Sequence, residues 1–371
     1  MSFSSIPDIV ADIRAGRMVV IADDEDRENE GDLIMAAQAV TAEAIAFIVR
    51  HSSGIICQPM TRERLEQLRL PQMVSENSES HRTAFTVSVD CRHGTTTGVS
   101  AHDRAITIRA LADPASKPED FARPGHIFPL RYTDGGVLMR AGHTEASIDL
   151  VRLAGVSSPS AVICEIVNDD GTMKRGADLL AFADQQGLKL GTIADLIRYR
   201  LQTEKTVERV FERDVDTEFG AFRLHGYRDR LSPLPHFALV CGDVDDGEPV
   251  AARVHVRDTL SDVLHLRRSE QAVTVSAALR HIATLGRGVV VILADADEAR
   301  TALERVSPPP QPAQDETHDW RRHGVGAQIL ADLGVRRLRV LGTPRRFLGL
   351  AGFGLEVVGY EQIGDADAPL R

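Results

Sequence analysis

The chain has 371 residues, of which 43% are hydrophobic and 26% are charged, and its formal net charge is -11. This length and composition fit two globular domains, and the negative charge argues against a general nucleic-acid or anionic-membrane binder. No apolar stretch approaches the roughly 20 residues of a membrane span, and no secretion signal is recognisable. The four cysteines are scattered without metal-ligand or redox spacing, so we expect a reduced, cytoplasmic protein.

The first half of the sequence alternates between helical and strand patterns. Ser5 and Ser100 are each followed three residues later by an aspartate, which is typical of a capped helix start. Helices are predicted for residues 6–15, 41–51, 100–112, 146–153, 177–186 and 192–201. Strands are predicted for residues 18–22, 33–36, 54–58, 83–90, 125–130 and 161–167. This order predicts an α+β domain in which a mixed, twisted sheet is layered with helices.

The sequence pattern changes at the polar residues 202–205, and we therefore predict two domains, 1–204 and 205–371. In the second half, strands are predicted for residues 219–224, 237–241, 250–256, 288–294 and 338–341, and helices for residues 273–285 and 323–333. The proline-rich residues 308–312 predict a loop or tether. The second half is therefore predicted to be a second α/β domain.

The acidic run at residues 23–32 directly follows the first predicted strand. It reads Asp-Asp-Glu-Asp-Arg-Glu-Asn-Glu-Gly-Asp, with seven acidic side chains and one arginine. Carboxylates at this density repel one another unless a cation lies among them, and hard cations such as Mg²⁺ prefer oxygen ligands. A solvated acidic loop is the alternative. Gly31 and the apolar residues 33–35 make the loop short and fixed at both ends, which favours a metal site.

Four further segments of the first half combine polar groups with glycines: residues 94–98, 123–126, 140–146 and 164–171. Each has an ordinary explanation, since His126 could be a surface or capping residue and Arg140 could pair with a carboxylate. Glu165 lies in an otherwise apolar predicted strand, where a charge is costly unless it is paired or at a cleft. Together the segments predict a metal-assisted site for a small anionic substrate.

These motifs, in this order, resemble 3,4-dihydroxy-2-butanone 4-phosphate synthase of riboflavin biosynthesis. The resemblance covers about residues 5–200 and is carried by residues 23–32, 83–87, 97–100, 123–126, 140–146 and 164–165. It implies conversion of D-ribulose 5-phosphate into 3,4-dihydroxy-2-butanone 4-phosphate and formate, by metal-assisted enediolate chemistry. It also implies a homodimer with its active sites close to the shared interface.

The resemblance further implies roles for individual residues. Glu28 and His143 are implied as the ligands of two Mg²⁺ ions per active site, with Mn²⁺ as the alternative metal. His126 and Glu165 are implied as catalytic residues, and Glu165 or a loop carboxylate is suited to remove the proton beside the substrate carbonyl. The implied substrate-binding residues are Arg27, Glu28, Asp32, Arg140, Ala141, Gly142, His143, Thr144 and Glu165.

The second half is similar to GTP cyclohydrolase II, chiefly in residues 219–229, 249–255, 277–282 and 324–330. The three zinc-binding cysteines of that family would fall within residues 256–270, and this segment contains no cysteine. Without thiolates the expected four-coordinate zinc site cannot form. The nucleotide loop and a later arginine motif of the family are also replaced, at residues 294–300 and 342–346. We therefore predict that this domain binds no zinc and does not hydrolyse GTP.

Two roles stay open for the second half. It is either a structural or regulatory module, which stabilises the synthase or docks another riboflavin-pathway enzyme, or a remnant ligand site. The arginines available to such a site are Arg228, Arg253, Arg345 and Arg346, which could equally be surface charges. A bifunctional enzyme that retains GTP cyclohydrolase II activity is the alternative function. A non-catalytic scaffold is a third hypothesis, and the complete motifs of the first half argue against it.

Overall fold

The computed structural model describes residues 3–24, 27–232, 234–266, 273–295, 298, 316–342 and 350–363, and only the backbone of residues 316–323 and 351. The proline-rich segment 308–312 and the arginines Arg345 and Arg346 therefore lie outside the described residues. The chain divides into two compact units, Met1–Tyr199 and Arg200–Arg371. The boundary predicted between residues 204 and 205 stays a prediction.

The first unit contains seven α-helices and seven strands among its described residues. The helices are α1 Ile6–Arg14, α2 Ala42–His51, α3 Arg62–Gln67, α4 Ala101–Ala112, α5 His143–Leu153, α6 Gly176–Gln186 and α7 Ile193–Thr203, which runs on past Tyr199. The strands are β1 Val19–Ala22, β2 Gly31–Ala36, β3 Cys57–Met60, β4 Val89–Cys91, β5 Phe121–Arg131, β6 Ala161–Glu165 and β7 Leu190–Thr192. As predicted, Ser5 and Ser100 cap helices, and each hydroxyl accepts the amide of the aspartate three residues later.

The seven strands form one mixed sheet in the order β4-β5-β3-β6-β2-β1-β7. Only the β3–β5 and β1–β7 pairs are parallel. Strand β2 lies between β1 and β6 and is antiparallel to both, so Asp32 is opposite Ile21 on one side and Glu165 on the other. This register brings the start of β2 and the ends of β1 and β6 together at one edge of the sheet.

The core of the first unit lies between this sheet and its helices. Val20 and Leu33 of the central strands pack in one cluster with Ile45 and Ile48 of helix α2. Helix α1 contacts helix α5 and the strands β1 and β2. The predicted α+β layering of a mixed sheet with helices is therefore confirmed.

The strand predicted for residues 83–90 is largely wrong. Only its end belongs to a regular strand, β4, while Phe85 and Thr86 make single bridges to two different partners, Leu130 and Gln72. Residues that bridge to separate segments can point in alternating directions without forming a ladder. Their sequence then shows the apolar alternation of a strand although no regular strand forms. Helix α5 begins at His143 rather than at residue 146. This earlier start places His143 in the first turn of the helix.

The second unit contains a second seven-stranded sheet, in the order β14-β13-β11-β12-β10-β9-β8. Its strands are β8 Val207–Thr217, β9 Gly220–Asp229, β10 Pro235–Cys241, β11 Val250–Val256, β12 Gly288–Leu293, β13 Arg337–Leu341 and β14 Glu356–Glu361. Its described helices are α8 Thr259–Asp262, α9 Val275–Leu285 and the helix Glu316–Asp332, here α10. Strands β11 to β14 are mutually parallel where they pair, and β8, β9, β10 and β12 pair antiparallel.

Two hydrophobic clusters cover the second sheet, one including Ile329 and Leu330 of helix α10 and the other including Leu279 and Ile282 of helix α9. Strand β8 was not predicted, because it is an edge strand whose side chains are mostly exposed and charged. Such a strand lacks the apolar alternation of a half-buried one. Among the described residues, no helix has the length and apolar character that crossing a membrane requires.

Candidate active site

The acidic loop connects β1 to β2 and is organised around the buried side chain of Asp23. The Asp23 carboxylate accepts the main-chain N–H of Glu28 at 3.1 Å and that of Glu30 at 2.8 Å. It also accepts a hydrogen bond from Nη1 of Arg27 at 2.9 Å. The main chain turns at Asn29, whose φ of 53° lies in the left-handed region that asparagine tolerates better than most residues. The hydrogen bonds to the Asp23 side chain therefore stabilise the conformation of the loop.

The loop directs the carboxylate of Glu28 toward the buried side chain of His143. Oε2 of Glu28 lies 3.8 Å from Nδ1 of His143, and Oδ1 of Asp32 lies 3.8 Å from the same nitrogen. One possible ligand atom from each of Asp23, Glu28 and His143 falls within 4.8 Å of the others. Glu28 and His143, which are implied as metal ligands, are thus brought together by the fold.

The orientation of the His143 ring follows from its second nitrogen. Nε2 lies 3.2 Å from the main-chain oxygen of Ile21. Because a carbonyl oxygen only accepts, Nε2 carries a hydrogen, and Nδ1 is the nitrogen that faces Glu28 and Asp32. A histidine held in this way by its other nitrogen is a common arrangement for a metal ligand.

Burial and mutual charge shift the pKa values of this group strongly. Burial raises the pKa of the Asp32 carboxyl to about 8, although the charge of His143 opposes this rise. Burial alone would also raise the pKa of Glu28, but His143 and Arg27 outweigh it and lower that pKa to about 2. For His143, burial disfavours the charged ring, yet the carboxylates of Asp32 and Glu28 raise its pKa to about 9. Burial and close approach therefore perturb all three groups strongly, as is typical of a functional site.

This donor set fits a divalent cation. Oδ1 of Asp32 is buried and has no hydrogen-bond partner, which is costly for a carboxylate oxygen. A cation among Asp32, Glu28 and His143 would satisfy that oxygen and offset the repulsion between the carboxylates. Carboxylate oxygens with one imidazole are ligands that suit Mg²⁺ and Mn²⁺.

Glu165 lies at the end of β6, beside the same group. It pairs with Asp32 across the β2–β6 ladder. Its Oε2 accepts a hydrogen bond of 2.7 Å from the hydroxyl of Ser53, and its main-chain oxygen accepts the N–H of Ser53 at 2.8 Å. The side chain is only partly buried. Glu165 is thus a carboxylate at the sheet edge, held in place by one serine.

His126 lies on β5, which β3 and β6 separate from β2. Its Nδ1 is 2.7 Å from Oδ2 of Asp90, and its main-chain N–H donates to the other oxygen of that carboxylate at 2.9 Å. Gly98, with φ of 84°, packs so closely on this pair that a Cβ there would lie 2.8 Å from Nδ1 of His126. Within the described parts of the chain, no hydrogen bond or ion pair links His126 to Glu28 or His143.

Arg140 binds protein groups on two sides. Its Nη1 pairs with Glu145 at 2.6 Å, and its Nη2 donates to the main-chain oxygen of His81 and to the hydroxyl of Thr83, both at 3.1 Å. The His81 ring reaches to 3.9 Å from Oε1 of Glu28. The segment around residues 81–83 therefore connects Arg140 to the acidic loop.

The remaining implied substrate-binding residues are Ala141, Gly142, Thr144 and Arg27. Ala141 and Gly142 lead into helix α5, where Thr144 is buried in the first turn beside His143. A Cβ at Gly142 would collide with the guanidinium of Arg140, so the main chain passes very close to that side chain. Arg27 binds both Asp23 and Glu28.

The structure adds residues that the sequence did not single out: Asp23 as the organiser of the loop, Ser53, His81 and Asp90. Asp23 lies within a recognised motif, and His81 and Asp90 lie two and three residues from the motif at residues 83–87, so proximity in sequence was an available signal. Ser53 carries no local signal, since its role depends on contacts with a distant segment.

Comparison with known proteins identifies the family. Residues 7–199 match the family model of 3,4-dihydroxy-2-butanone 4-phosphate synthase, and residues 204–362 match that of GTP cyclohydrolase II. The 3,4-dihydroxy-2-butanone 4-phosphate synthase of Pseudomonas syringae pv. tomato is 49% identical over 363 residues, which cover 96% of this chain and 98% of that protein.

Two solved structures are also similar. RibBX from A. baumannii, a two-domain 3,4-dihydroxy-2-butanone 4-phosphate synthase, is 44% identical with a TM-score of 0.81, over 98% of this chain and all of its own. A 3,4-dihydroxy-2-butanone 4-phosphate synthase in complex with two magnesium ions is 51% identical with a TM-score of 0.53, over 54% of this chain and 98% of its own.

These matches confirm the resemblance found in the sequence, because they extend over both units and nearly the whole length of the chain. The match to GTP cyclohydrolase II concerns the family of the second unit and leaves its activity undetermined. The chain therefore belongs to the 3,4-dihydroxy-2-butanone 4-phosphate synthases of riboflavin biosynthesis, in the form that carries a GTP cyclohydrolase II-like unit behind the synthase.

Proposed function

We propose that the first unit converts D-ribulose 5-phosphate into 3,4-dihydroxy-2-butanone 4-phosphate and formate at the edge of its sheet. One observation carries this proposal: Glu28 and His143, far apart in sequence, face each other at 3.8 Å beside the unpartnered oxygen of Asp32. A similar synthase was solved with two magnesium ions, which supports a metal pair in this family, and we assign Glu28 and His143 as its ligands from their approach in this structure.

The metal, when bound, would supply positive charge that polarises the substrate carbonyl and makes the neighbouring proton easier to remove. Glu165 is the carboxylate best placed to take that proton, since Ser53 orients it and it lies across the ladder from Asp32. This assignment leaves the carboxylates of the loop free to hold the cation.

His126 is proposed to move protons in the later steps. Asp90 holds Nδ1, so Nε2 is the nitrogen left for the substrate, and 43% of the side chain is exposed. Arg140 and Thr144 are proposed to hold the anionic phosphate group, because a guanidinium and a hydroxyl near the start of helix α5 suit a phosphate.

The decisive assay measures formate from D-ribulose 5-phosphate with Mg²⁺ present. We expect turnover by the unaltered chain and none by the variants Glu28→Gln and His143→Ala. Glu66→Gln is a suitable control, since the exposed side chain of Glu66 pairs with Arg62 on helix α3. Normal formate release by either site variant would contradict the proposal.

For the second unit we propose that no GTP is hydrolysed and that no zinc is held. The segment 256–270 contains no cysteine, and its described part makes hydrogen bonds with its own neighbours. Nε2 of His255 lies 2.9 Å from Oδ2 of Asp262, and the same oxygen accepts the N–H of Asp258. The unit is instead proposed to have a structural or regulatory role.

A remnant phosphate site in this unit has less support. Arg253, one of the candidates, donates to the main-chain oxygens of Leu341 and Val273. The bifunctional alternative is tested by incubating the chain with GTP, Mg²⁺ and Zn²⁺. Formate release from GTP, or one zinc per chain by metal analysis, would favour it.

A homodimer, which the resemblance to the family implies, and a riboflavin-pathway enzyme as a partner of the second unit are further proposals. Sedimentation analysis at micromolar concentration tests the dimer. A mass corresponding to a single chain would contradict it.

A further inference from the structure

The acidic loop is bound by a residue of a distant segment, Arg175, as well as by its own Asp23. Arg175, the residue that precedes helix α6, donates from Nε to the main-chain oxygen of Asn29 at 2.9 Å. Its Nη2 donates to the main-chain oxygen of Glu28 and to Oε1 of Glu30, both at 3.3 Å. One guanidinium thus binds three successive residues of the loop.

Asp23 and Arg175 hold opposite groups of the same main chain. Asp23 accepts the N–H groups of Glu28 and Glu30, whereas Arg175 donates to the carbonyls of Glu28 and Asn29. Both peptide groups around Glu28 are therefore bound. With its main chain bound on both sides, Glu28 keeps its Cα in place, which limits how far its carboxylate can move from His143.

We propose that Arg175 is a positioning residue for the synthase reaction, which keeps Glu28 opposite His143 by binding the loop main chain. This proposal rests on the function proposed above. Among the described residues, no hydrogen bond or ion pair joins Arg175 to the Glu28 carboxylate, so its effect is transmitted through the main chain. A planar guanidinium suits this task, because its forked donors reach two carbonyls and a carboxylate together, which a lysine ammonium cannot do.

A purely stabilising role explains these contacts less well. The Arg175 side chain is 52% exposed, and an exposed ion pair such as the one with Glu30 contributes little to stability. Truncating a half-exposed side chain leaves no cavity in the core. The consequences of replacing it are thus expected in the acidic loop and not in the fold of the unit.

The test compares Arg175→Gln and Arg175→Lys with a control, Lys174→Gln. Lys174 precedes Arg175 in the same segment, and its ammonium binds Asn168 and lies 5.8 Å from the ring of Phe182. The control removes the same charge one residue away, and within the described parts of the chain the Lys174 side chain makes no hydrogen bond or ion pair with the acidic loop. All variants are made in the full chain.

Hydrogen–deuterium exchange without metal or substrate is the first measurement. We expect the amides of Glu28 and Glu30 to exchange faster in Arg175→Gln, and at the unaltered rate in Lys174→Gln. Formate assays should show that Arg175→Gln needs roughly tenfold more Mg²⁺ for half-maximal activity, since residues that orient metal ligands commonly matter by 10–100-fold. Arg175→Lys should recover part of the difference.

Unaltered loop exchange together with an unaltered Mg²⁺ requirement in Arg175→Gln would overturn the proposal. So would faster exchange throughout the sheet, because that result shows general destabilisation. If the unaltered chain releases no formate, the proposed function fails, and exchange plus Mn²⁺ binding measured by electron paramagnetic resonance still decides the role of Arg175. Weaker Mn²⁺ binding only in the Arg175 variants supports it.

Discussion

At the scale of single residues, the most informative atom is Oδ1 of Asp32, which is buried without a hydrogen-bond partner. A buried carboxylate oxygen without a hydrogen bond is costly, and Nδ1 of His143 lies 3.8 Å from it, beyond hydrogen-bond distance. The unpartnered oxygen lowers the stability of the folded protein around Asp32, and it is explained if this oxygen belongs to a cation site. The cost of the uncompensated charge is then recovered when the cation binds.

Metal removal should therefore change stability through Asp32. We expect Mg²⁺ at 100 times its dissociation constant to stabilise the first unit by about 2.7 kcal/mol, because the ion binds only the folded state. A chelator should reverse this gain, and Asp32→Asn should lose most of it. Differential scanning calorimetry of the chain, of Asp32→Asn and of the control Glu66→Gln measures the shift. An equal Mg²⁺-induced shift in Asp32→Asn would show that Asp32 does not contribute to the site.

The cysteines give a second prediction at the residue scale. Burial raises the pKa of the Cys164 thiol to about 11, and burial with the nearby Glu165 raises that of Cys57 as well. Because the thiolate is the reactive form, both should react slowly with iodoacetamide at pH 8 in the native protein. Cys241 is more exposed and should react first. Peptide mass spectrometry measures the order, and the denatured chain, in which every thiol is accessible, is the control.

At the scale of elements, the site is assembled from the ends of strands and the start of one helix. The β1–β2 loop carries Glu28, the end of β6 carries Glu165, and helix α5 begins with His143. Antiparallel pairing of β2 with both β1 and β6 brings these ends to one edge. The connecting loops therefore need defined shapes, and glycine is used where the main chain must pass close to a side chain.

Gly98 provides a test of this last point. A Cβ there would meet the Asp90 carboxylate and the ring of His126, so Gly98→Ala should displace this pair and greatly reduce formate production. Gly94→Ala is a matched control, since Gly94 also has a positive φ, of 75°, but a Cβ there would lie 3.6 Å from the nearest atom. Each change should cost about 1 kcal/mol of stability through its backbone conformation.

Steady-state kinetics and thermal unfolding of both variants separate the two effects. Equal loss of activity in Gly94→Ala and Gly98→Ala would indicate that backbone strain, and not displacement of the His126–Asp90 pair, is responsible.

At the scale of the whole molecule, each unit has its own sheet and its own hydrophobic clusters. All residues proposed for the synthase reaction belong to the first unit. The second unit keeps the fold of its family while the cysteines expected for zinc are missing from its sequence. The fold of this unit does not depend on those cysteines, because its core clusters are built from other, apolar side chains.

A chain shortened to residues 1–205 tests this independence. We expect it to fold and to release formate within about threefold of the full rate, because the core and site of the first unit lie within Met1–Tyr199. Helix α7 stays complete in this chain. Circular dichroism and the formate assay check the prediction, with Glu28→Gln in the short chain as the inactive control. A folded but inactive short chain would show that the second unit is needed for the reaction.

The sequence by itself determined most of the local structure, the family and the residue types of the site. Helix starts such as Ser5 and Ser100 could be predicted, because capping depends on neighbours within a few residues. The edge strand β8 and the false strand before β4 could not, since apolar alternation reports burial and not pairing partners. The resemblance supplied the implied roles of Glu28 and His143, but no distance between them.

Only the tertiary structure decided how these groups meet. The 3.8 Å approach of Glu28 to His143, the orientation of that ring by Ile21 and the binding of the loop by Arg175 all join segments far apart in the chain. Such contacts are set by strand register and by packing across the sheet, which no local pattern encodes. The chemistry of the site could therefore be predicted from the residue types, whereas its geometry is determined only in the folded chain.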